Sequence, residues 1–212
     1  ARVGWTHDAT TMPEPPLRPA SGANPLDELL AEIRGCTRCA ADLPLGPRPV
    51  LQAGATARIL IAAQAPGTKV HAIGRTFTDA SGARLRAWLD MPTSVFYDPA
   101  RVAIVPMGFC YPGRGAGGDL PPRPECAVTW RATVLAHLPQ VALTLVIGRC
   151  AMAWHLPRGG SSVGDTVQRW REFWPAVVPL PHPSPRNNLW LRRHPWFETE
   201  LVPALRERVA EV

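Results

Sequence analysis

The sequence predicts an α/β protein built on a parallel sheet that helices cover on both faces. Four short apolar segments with strand character recur along the chain, and helical segments stand between them. Strands and helices that alternate in this way form parallel sheets. The length of 212 residues suits one such domain, and 46% hydrophobic against 19% charged residues is the composition of a chain that folds.

The N-terminal segment differs in composition from the rest. Residues 1–24 are rich in proline and predict a mobile tail, or an arm that lies on the surface. Asn24 and Pro25 predict the cap and the first residue of a helix that ends near Gly35. The domain is therefore expected to span residues 25–212. With 25 prolines in the chain, we expect short elements and many fixed loops.

The remaining elements follow in order. Strands are predicted at 58–63, 102–105, 142–147 and 177–180. Helices are predicted at 81–89, 124–138, 149–156, 163–174 and 196–209. A loop rich in glycine and proline is predicted at 112–122. Because sites in parallel sheets form beyond the carboxyl ends of strands, the polar loops at 64–67 (QAPG) and 182–188 (HPSPRNN) are candidates for one site.

The charge balance permits a nucleic-acid partner. The chain has a formal net charge of +6, and Lys69 is its only lysine. Arginine binds phosphate with two hydrogen bonds and stacks on bases, although a solvated basic surface fits the same composition. No apolar run is long enough to span a bilayer, and the N-terminus has no signal-peptide pattern. We expect a soluble, cytoplasmic protein with no membrane partner.

The cysteines are spaced like metal ligands. Cys36 and Cys39 enclose two residues, and Cys110 and Cys126 follow on a predicted loop and a predicted helix. Four thiolates suit either structural zinc or a [4Fe–4S] cluster, and the spacing does not choose between them. Four unrelated buried cysteines are the alternative. Cys150 is predicted to be an ordinary core cysteine.

In this order, the motifs resemble those of the iron–sulfur uracil-DNA glycosylases, the family 4 type, within the wider uracil-DNA glycosylase superfamily. The matching features are the C-x2-C clip, ILIAAQAPG, GRTFTDASG, the two later cysteines and HPSPRNN, and they cover about residues 26–209. The resemblance implies a three-layer α/β/α fold with a central four-stranded parallel sheet. It also implies that Cys36, Cys39, Cys110 and Cys126 hold a [4Fe–4S] cluster, with Zn²⁺ as the alternative.

The resemblance implies removal of a deaminated base that is flipped out of DNA, with uracil as the first candidate. It assigns His182 the hydrogen bond to the departing base, which carries negative charge as the bond breaks. Gln64 and Asp79 are the further catalytic candidates. The predicted base-binding residues are Ala65, Pro66, Gly67 and Phe77, the last as an aromatic platform. The predicted DNA-binding residues are Ser184, Arg186, Asn187, Arg192 and Arg193.

Three positions depart from the family pattern. Gln64 stands where a glutamate is usual, Val70 where an acid is expected, and Pro106 where an asparagine reads uracil. Proline has neither a side-chain amide nor an N–H, so that contact with uracil is lost. The sequence therefore indicates a divergent branch, whose target is uracil, hypoxanthine or another deaminated base. Asp79 and His71 are the nearest candidates to position the water, although Asp79 equally suits a helix cap.

The leading hypothesis is a monofunctional glycosylase that acts as a monomer on DNA containing a damaged base. A non-catalytic binder of damaged or abasic DNA stays open because of the three departures, and so does a glycosylase for hypoxanthine or xanthine. A zinc-stabilised nucleic-acid module is a further alternative. Leu189 and Trp190 are expected either to enter the duplex where the base leaves it or to pack inside the protein.

Overall fold

A computed structural model of the chain describes residues 24–157 and 162–212. Its centre is a four-stranded parallel sheet in the order β2-β1-β5-β6. These strands are β1 (Ile59–Ala62), β2 (Val102–Ile104), β5 (Leu143–Ile147) and β6 (Val177–Leu180). A separate antiparallel hairpin pairs β3 (Arg114–Gly115) with β4 (Gly118–Asp119). The predicted fold class and all four predicted strands are confirmed.

Helices cover both faces of this sheet. They are α1 (Pro25–Arg34), α2 (Thr68–Ile73), α3 (Ala80–Leu89), α4 (Thr93–Phe96), α5 (Pro124–Cys126), α6 (Ala132–Ala136), α7 (Arg149–His155), α8 (Val163–Gln168), α9 (Asn188–Arg193) and α10 (Val202–Glu211). Single turns of 3-10 helix lie at Ala40–Asp42, Trp170–Glu172 and Pro185–Asn187, and π-helical turns at Ala127–Arg131 and Phe197–Leu201.

Side chains that alternate along β1 divide the core into two layers. Ile59 and Ile61 belong to the larger apolar cluster, which α3, α7, α8 and α10 cover. Leu60, between them, belongs to a second cluster that α1 and the α5–α6 segment cover. Successive strand residues point to opposite faces, so a sheet buried on both faces needs apolar residues at every position. All four residues of β1 are buried.

The first helix forms as predicted. The Asn24 side chain accepts a hydrogen bond from the Leu26 N–H (3.1 Å), Pro25 is the first helical residue, and Gly35 closes the helix. The predicted N-terminal tail, apart from Asn24, lies outside the described residues. None of the helices between 24 and 157 or between 162 and 212 is long and apolar enough to cross a bilayer.

Some elements differ from the prediction. The helix predicted at 124–138 contains a π-helical turn between α5 and α6. The helix predicted at 163–174 ends as an α-helix at Gln168, and a 3-10 turn follows in which Trp170 is buried in the core. The loop predicted at 112–122 contains the β3–β4 hairpin. Helices α2, α4 and α9 were not predicted, because elements of four to six residues carry too little periodicity to be recognised.

Candidate active site

Two loops from distant parts of the chain meet at the carboxyl edge of the sheet. The turn 64–67 follows β1 and the segment 182–187 follows β6, and both line one cavity of about 490 Å³. This volume is within the usual range for small-molecule sites. All seven predicted catalytic and base-binding residues line the cavity, namely Gln64, Ala65, Pro66, Gly67, Phe77, Asp79 and His182. The edge is where parallel sheets place ligands.

The turn 64–67 is fixed by the strands beside it. The Gln64 carbonyl accepts a hydrogen bond from the Gly108 N–H (2.9 Å), which continues the pairing of the first two strands. The Gln64 side chain lies against Gly148, which has a φ of +82°; a Cβ there would be 3.0 Å from the Gln64 side-chain carbons. The glycine therefore leaves room for Gln64 at the end of β5.

His182 is a half-buried residue between two buried prolines. Its carbonyl accepts a hydrogen bond from the Asn187 side-chain amide (2.7 Å). Burial lowers the pKa of His182, and the Arg186 charge lowers it further, while the charges of Asp79 and Asp119 raise it. Burial is the largest of these effects, so the net shift favours the neutral imidazole. A neutral imidazole can donate one ring N–H to a leaving group.

Hydrogen bonds hold the loop that carries His182. Arg84 of α3 donates to the Ser184 carbonyl (3.2 Å), and the Ser184 hydroxyl accepts from the Arg186 N–H (3.2 Å). With the Asn187 bond to His182, the two predicted DNA contacts Ser184 and Asn187 both have a role in shaping the loop. Both residues also line the cavity, together with Arg186.

Phe77 has an unusual backbone conformation at the cavity wall. Its φ is +53°, which is sterically costly for a residue with a side chain. The Phe77 carbonyl accepts hydrogen bonds from the Tyr97 hydroxyl (2.8 Å) and from Arg86 (3.2 Å), and it packs against Gly82. The ring is buried and meets Phe96 edge to face at 6.1 Å. These contacts fix an aromatic ring at the cavity.

The two aspartates that line the cavity differ in their bonding. Asp79 is the N-cap of α3, where its Oδ1 accepts a hydrogen bond from the Gly82 N–H (3.2 Å). Asp119 comes from the β3–β4 hairpin. Its position on the cavity lining could not be predicted, because the sequence of this segment indicates only a loop rich in glycine and proline. The other water-positioning candidate, His71, is buried against Tyr111 and does not line the cavity.

All three departures from the family pattern line the cavity: Val70 and Pro106 do so together with Gln64. The Pro106 carbonyl accepts a hydrogen bond from Arg131 Nη1 (3.0 Å), as does the Val105 carbonyl (3.0 Å). Arg131 is fully buried, and sequence reasoning missed it because arginine on a helix usually faces water. It supports the cavity wall from inside the protein.

Helix α9 presents basic residues beside the cavity. Arg192 and Arg193 are exposed. Among the described residues, no ion pair involves Arg186, Arg192 or Arg193. Neither Arg192 nor Arg193 lines the cavity. Leu189 is 50% exposed, whereas Trp190 packs on the core and stacks on His194. The two residues therefore have different roles: one faces outward and the other is structural.

A second, small cavity is lined by cysteines. Cys36, Cys39, Cys110 and Cys126 all line it, and no histidine or carboxylate of the described residues does. As they stand, the described residues include no group of three or more metal-binding side chains close enough to hold one metal ion. The donor set nevertheless fits the implied group, because thiolates are the ligands of iron–sulfur clusters and of structural zinc.

The surroundings of Cys39, Cys110 and Cys126 oppose a free negative charge, because burial raises the pKa of each thiol. Burial raises the pKa of Cys126 to about 12, although the Phe109 N–H donates to its sulfur. Burial also raises the pKa of Cys110, which accepts a hydrogen bond from the Arg48 N–H. A cationic metal centre offsets such a cost. Cys150 is buried in the main core, away from this cavity, as predicted.

Residues 51–206, about three quarters of the chain, match the Uracil DNA glycosylase superfamily. The four-stranded parallel sheet and the site at its carboxyl edge agree with that match. The chain therefore belongs to the uracil DNA glycosylase superfamily. Membership indicates an enzyme that hydrolyses N-glycosyl bonds, with DNA as its substrate.

Proposed function

We propose that this protein is a monofunctional DNA glycosylase that removes a deaminated base, with uracil as the first candidate, and leaves an abasic site. The observation that carries the proposal is the shared cavity of Phe77 and His182, which the turn 64–67 closes on one side. A flipped base needs a surface to stack on and a donor for its developing negative charge. These residues offer both.

The chemistry follows from the charge that develops as the bond breaks. The C1′–N bond cleaves, its electron pair leaves with the base, and the sugar becomes oxocarbenium-like. The neutral His182 ring donates an N–H to the oxygen of the departing base, where the negative charge collects. A hydrogen bond to a charged acceptor is stronger than one to the neutral base, so His182 stabilises the transition state more than the ground state.

Base release from oligonucleotides tests this function. Single-stranded and duplex oligonucleotides carrying uracil, hypoxanthine or xanthine are incubated with the protein, and abasic sites are cleaved with alkali. We expect release of at least one of these bases and loss of about 100-fold or more in single-turnover rate for His182→Ala. The matched control is His137→Ala, since among the described residues the His137 ring bonds only to the Thr133 carbonyl, one turn earlier, and His137 lies outside the cavity.

A non-catalytic binder of abasic DNA is the second candidate, favoured by the neutral or apolar character of Gln64, Val70 and Pro106 at the cavity wall. It predicts a gel shift with abasic DNA but no release of any base. The identity of the released base also shows which substrate the protein prefers. Pro106 has no side-chain amide that could bind uracil, so a preference for hypoxanthine would show that Pro106 accompanies a change of base specificity.

We further propose that Cys36, Cys39, Cys110 and Cys126 hold a [4Fe–4S] cluster, with Zn²⁺ as the alternative. The cluster would join the end of α1 to the segment after β2 and to α5. Iron, sulfide and zinc analysis of protein purified without oxygen tests this. Cys126→Ser should lose the metal, and Cys150→Ser, the matched control in the main core, should keep it.

A further inference from the structure

The cavity needs a negative charge that the expected positions do not supply. An oxocarbenium-like sugar carries positive charge, and the attacking water must be oriented toward C1′. Gln64 is neutral and Val70 is apolar. Among the described residues that line the cavity, the carboxylates are Asp79 and Asp119.

One carboxylate oxygen of Asp79 is already engaged. Its Oδ1 accepts the Gly82 N–H, which caps α3 beside the backbone of Phe77. In contrast, the Asp119 carboxylate accepts no hydrogen bond and forms no ion pair with any other described residue. Asp119 therefore keeps both oxygens available for a ligand.

The position of the Asp119 carboxylate is defined by two close approaches. A Cβ placed on Gly67 would have Asp119 Oδ2 as its nearest neighbour, at 3.6 Å, so the carboxylate lies over the turn that forms the base pocket. The next residue back, Gly118, has a φ of +129°, and a Cβ there would be 2.6 Å from Arg186 Nη1. The hairpin thus packs against both cavity loops, and the positive φ of Gly118 favours glycine beside Arg186.

We propose that Asp119 is a catalytic residue of the glycosylase reaction: its carboxylate stabilises the oxocarbenium-like sugar and orients the attacking water. The assignment rests on the proposed function. As the C1′–N bond breaks, the electron pair leaves with the base; the water oxygen bonds to C1′, and the water proton passes to Asp119 and then to solvent. The hairpin thus supplies the acid that the family pattern places at another position of the chain.

Single-turnover base release by Asp119→Asn tests the proposal. We expect a rate about 100-fold or more below wild type. Binding of abasic product DNA should be unchanged or tighter, because a negative charge near the DNA backbone is removed. Asp119→Glu should recover part of the rate. The matched control is Asp27→Asn, the same change of charge on the exposed first turn of α1.

The outcomes separate the two proposals. Suppose that wild type releases a base and that His182→Ala lowers the single-turnover rate strongly. If Asp119→Asn then keeps a rate within about threefold of wild type, Asp119 has no catalytic role. If the variant loses rate and product binding together, and its unfolding temperature falls, the hairpin is structural and the assignment is overturned. If wild type releases no base, the proposed function fails and the assignment fails with it.

Discussion

Arg131 Nη2 lies 2.6 Å from His155 Nε2 in the interior of the protein. Arginine only donates, so Nε2 accepts and the imidazole is neutral. No carboxylate within the described residues forms an ion pair with Arg131. Within the described part of the chain, its side chain is therefore held by His155 and by the Val105 and Pro106 carbonyls. Breaking such a network leaves a buried charge unpaired.

This pair predicts a pH-dependent stability. Burial, followed by the Arg131 charge, lowers the pKa of His155 to about 3. The unfolded chain binds a proton at the ordinary histidine pKa of ~6.5, so between pH 6.5 and about 3 the unfolded state holds more protons than the folded state. The stability contributed by neutral His155 is therefore present above pH 6.5 and lost progressively as the pH falls.

Urea unfolding between pH 8 and pH 5 measures this dependence. His155→Gln, which keeps an acceptor for Arg131, should show a smaller decrease in unfolding free energy across that range than wild type. An equal decrease in both proteins would contradict the assignment.

Arg131→Met should also weaken the cavity wall at Pro106, because the Pro106 carbonyl loses its hydrogen-bond donor. We expect this variant to have a lower rate of base release as well as a lower free energy of unfolding.

The lowered pKa of His182 predicts how the reaction depends on pH. Burial lowers the pKa of the imidazole, so the His182-dependent part of the single-turnover rate should fall, as the ring gains a proton, at a lower pH than an ordinary histidine with a pKa of ~6.5 would give. NMR titration of the ring would locate the pKa directly, and a value above 6.5 would contradict this explanation.

Gly82 supports the conformation of Phe77, so its substitution should harm both stability and base binding. A Cβ on Gly82 would overlap the Phe77 carbonyl oxygen. We expect Gly82→Ala to cost about 1–3 kcal/mol in unfolding free energy, the usual range for overpacking, and to weaken binding of free base. Gly117→Ala is the control for unfolding free energy alone, because a Cβ there meets nothing within 4 Å, whereas its position on the cavity lining makes it unsuitable as a control for base binding. Equal stability of the two variants would show that Phe77 is not held by this contact.

The basic side chains beside the cavity predict a salt-dependent affinity for DNA. Arg192 and Arg193 are exposed and unpaired within the described chain, so each is free to bind a phosphate. Their alanine variants should weaken DNA binding at all sequences and reduce the slope of log affinity against log salt by about 1 each. Arg171→Ala is the control, since Arg171 pairs with Glu200 at 2.8 Å. An unchanged slope in Arg192→Ala and Arg193→Ala would place the DNA elsewhere.

The sheet and the two site loops could be predicted because they depend on local signals. Apolar strands, a capped first helix and polar loops at strand ends are visible in the residues themselves. Asp119 could not be placed, because a hairpin of two-residue strands has no periodicity and its position depends on contacts with Gly67 and Arg186. Arg131 could not be predicted as buried, because a π-helical turn and distant carbonyls determine its surroundings.

The conformation of Phe77 shows the same limit. The sequence identifies an aromatic residue at a family position, but a φ of +53° follows from contacts with Gly82, Tyr97 and Arg86. Strained backbone of this kind persists only where tertiary contacts over-determine it. Residue types at the site could therefore be predicted, and their geometry could not.

A crystal structure with free uracil or hypoxanthine soaked into the protein would show whether the cavity between Phe77 and His182 binds a nucleobase. We expect one base to lie in the cavity at the carboxyl edge of the sheet, stacked on Phe77, with its oxygen within hydrogen-bond distance of a His182 ring nitrogen. Density for the base at another place, or a cavity filled by packed side chains, would contradict it.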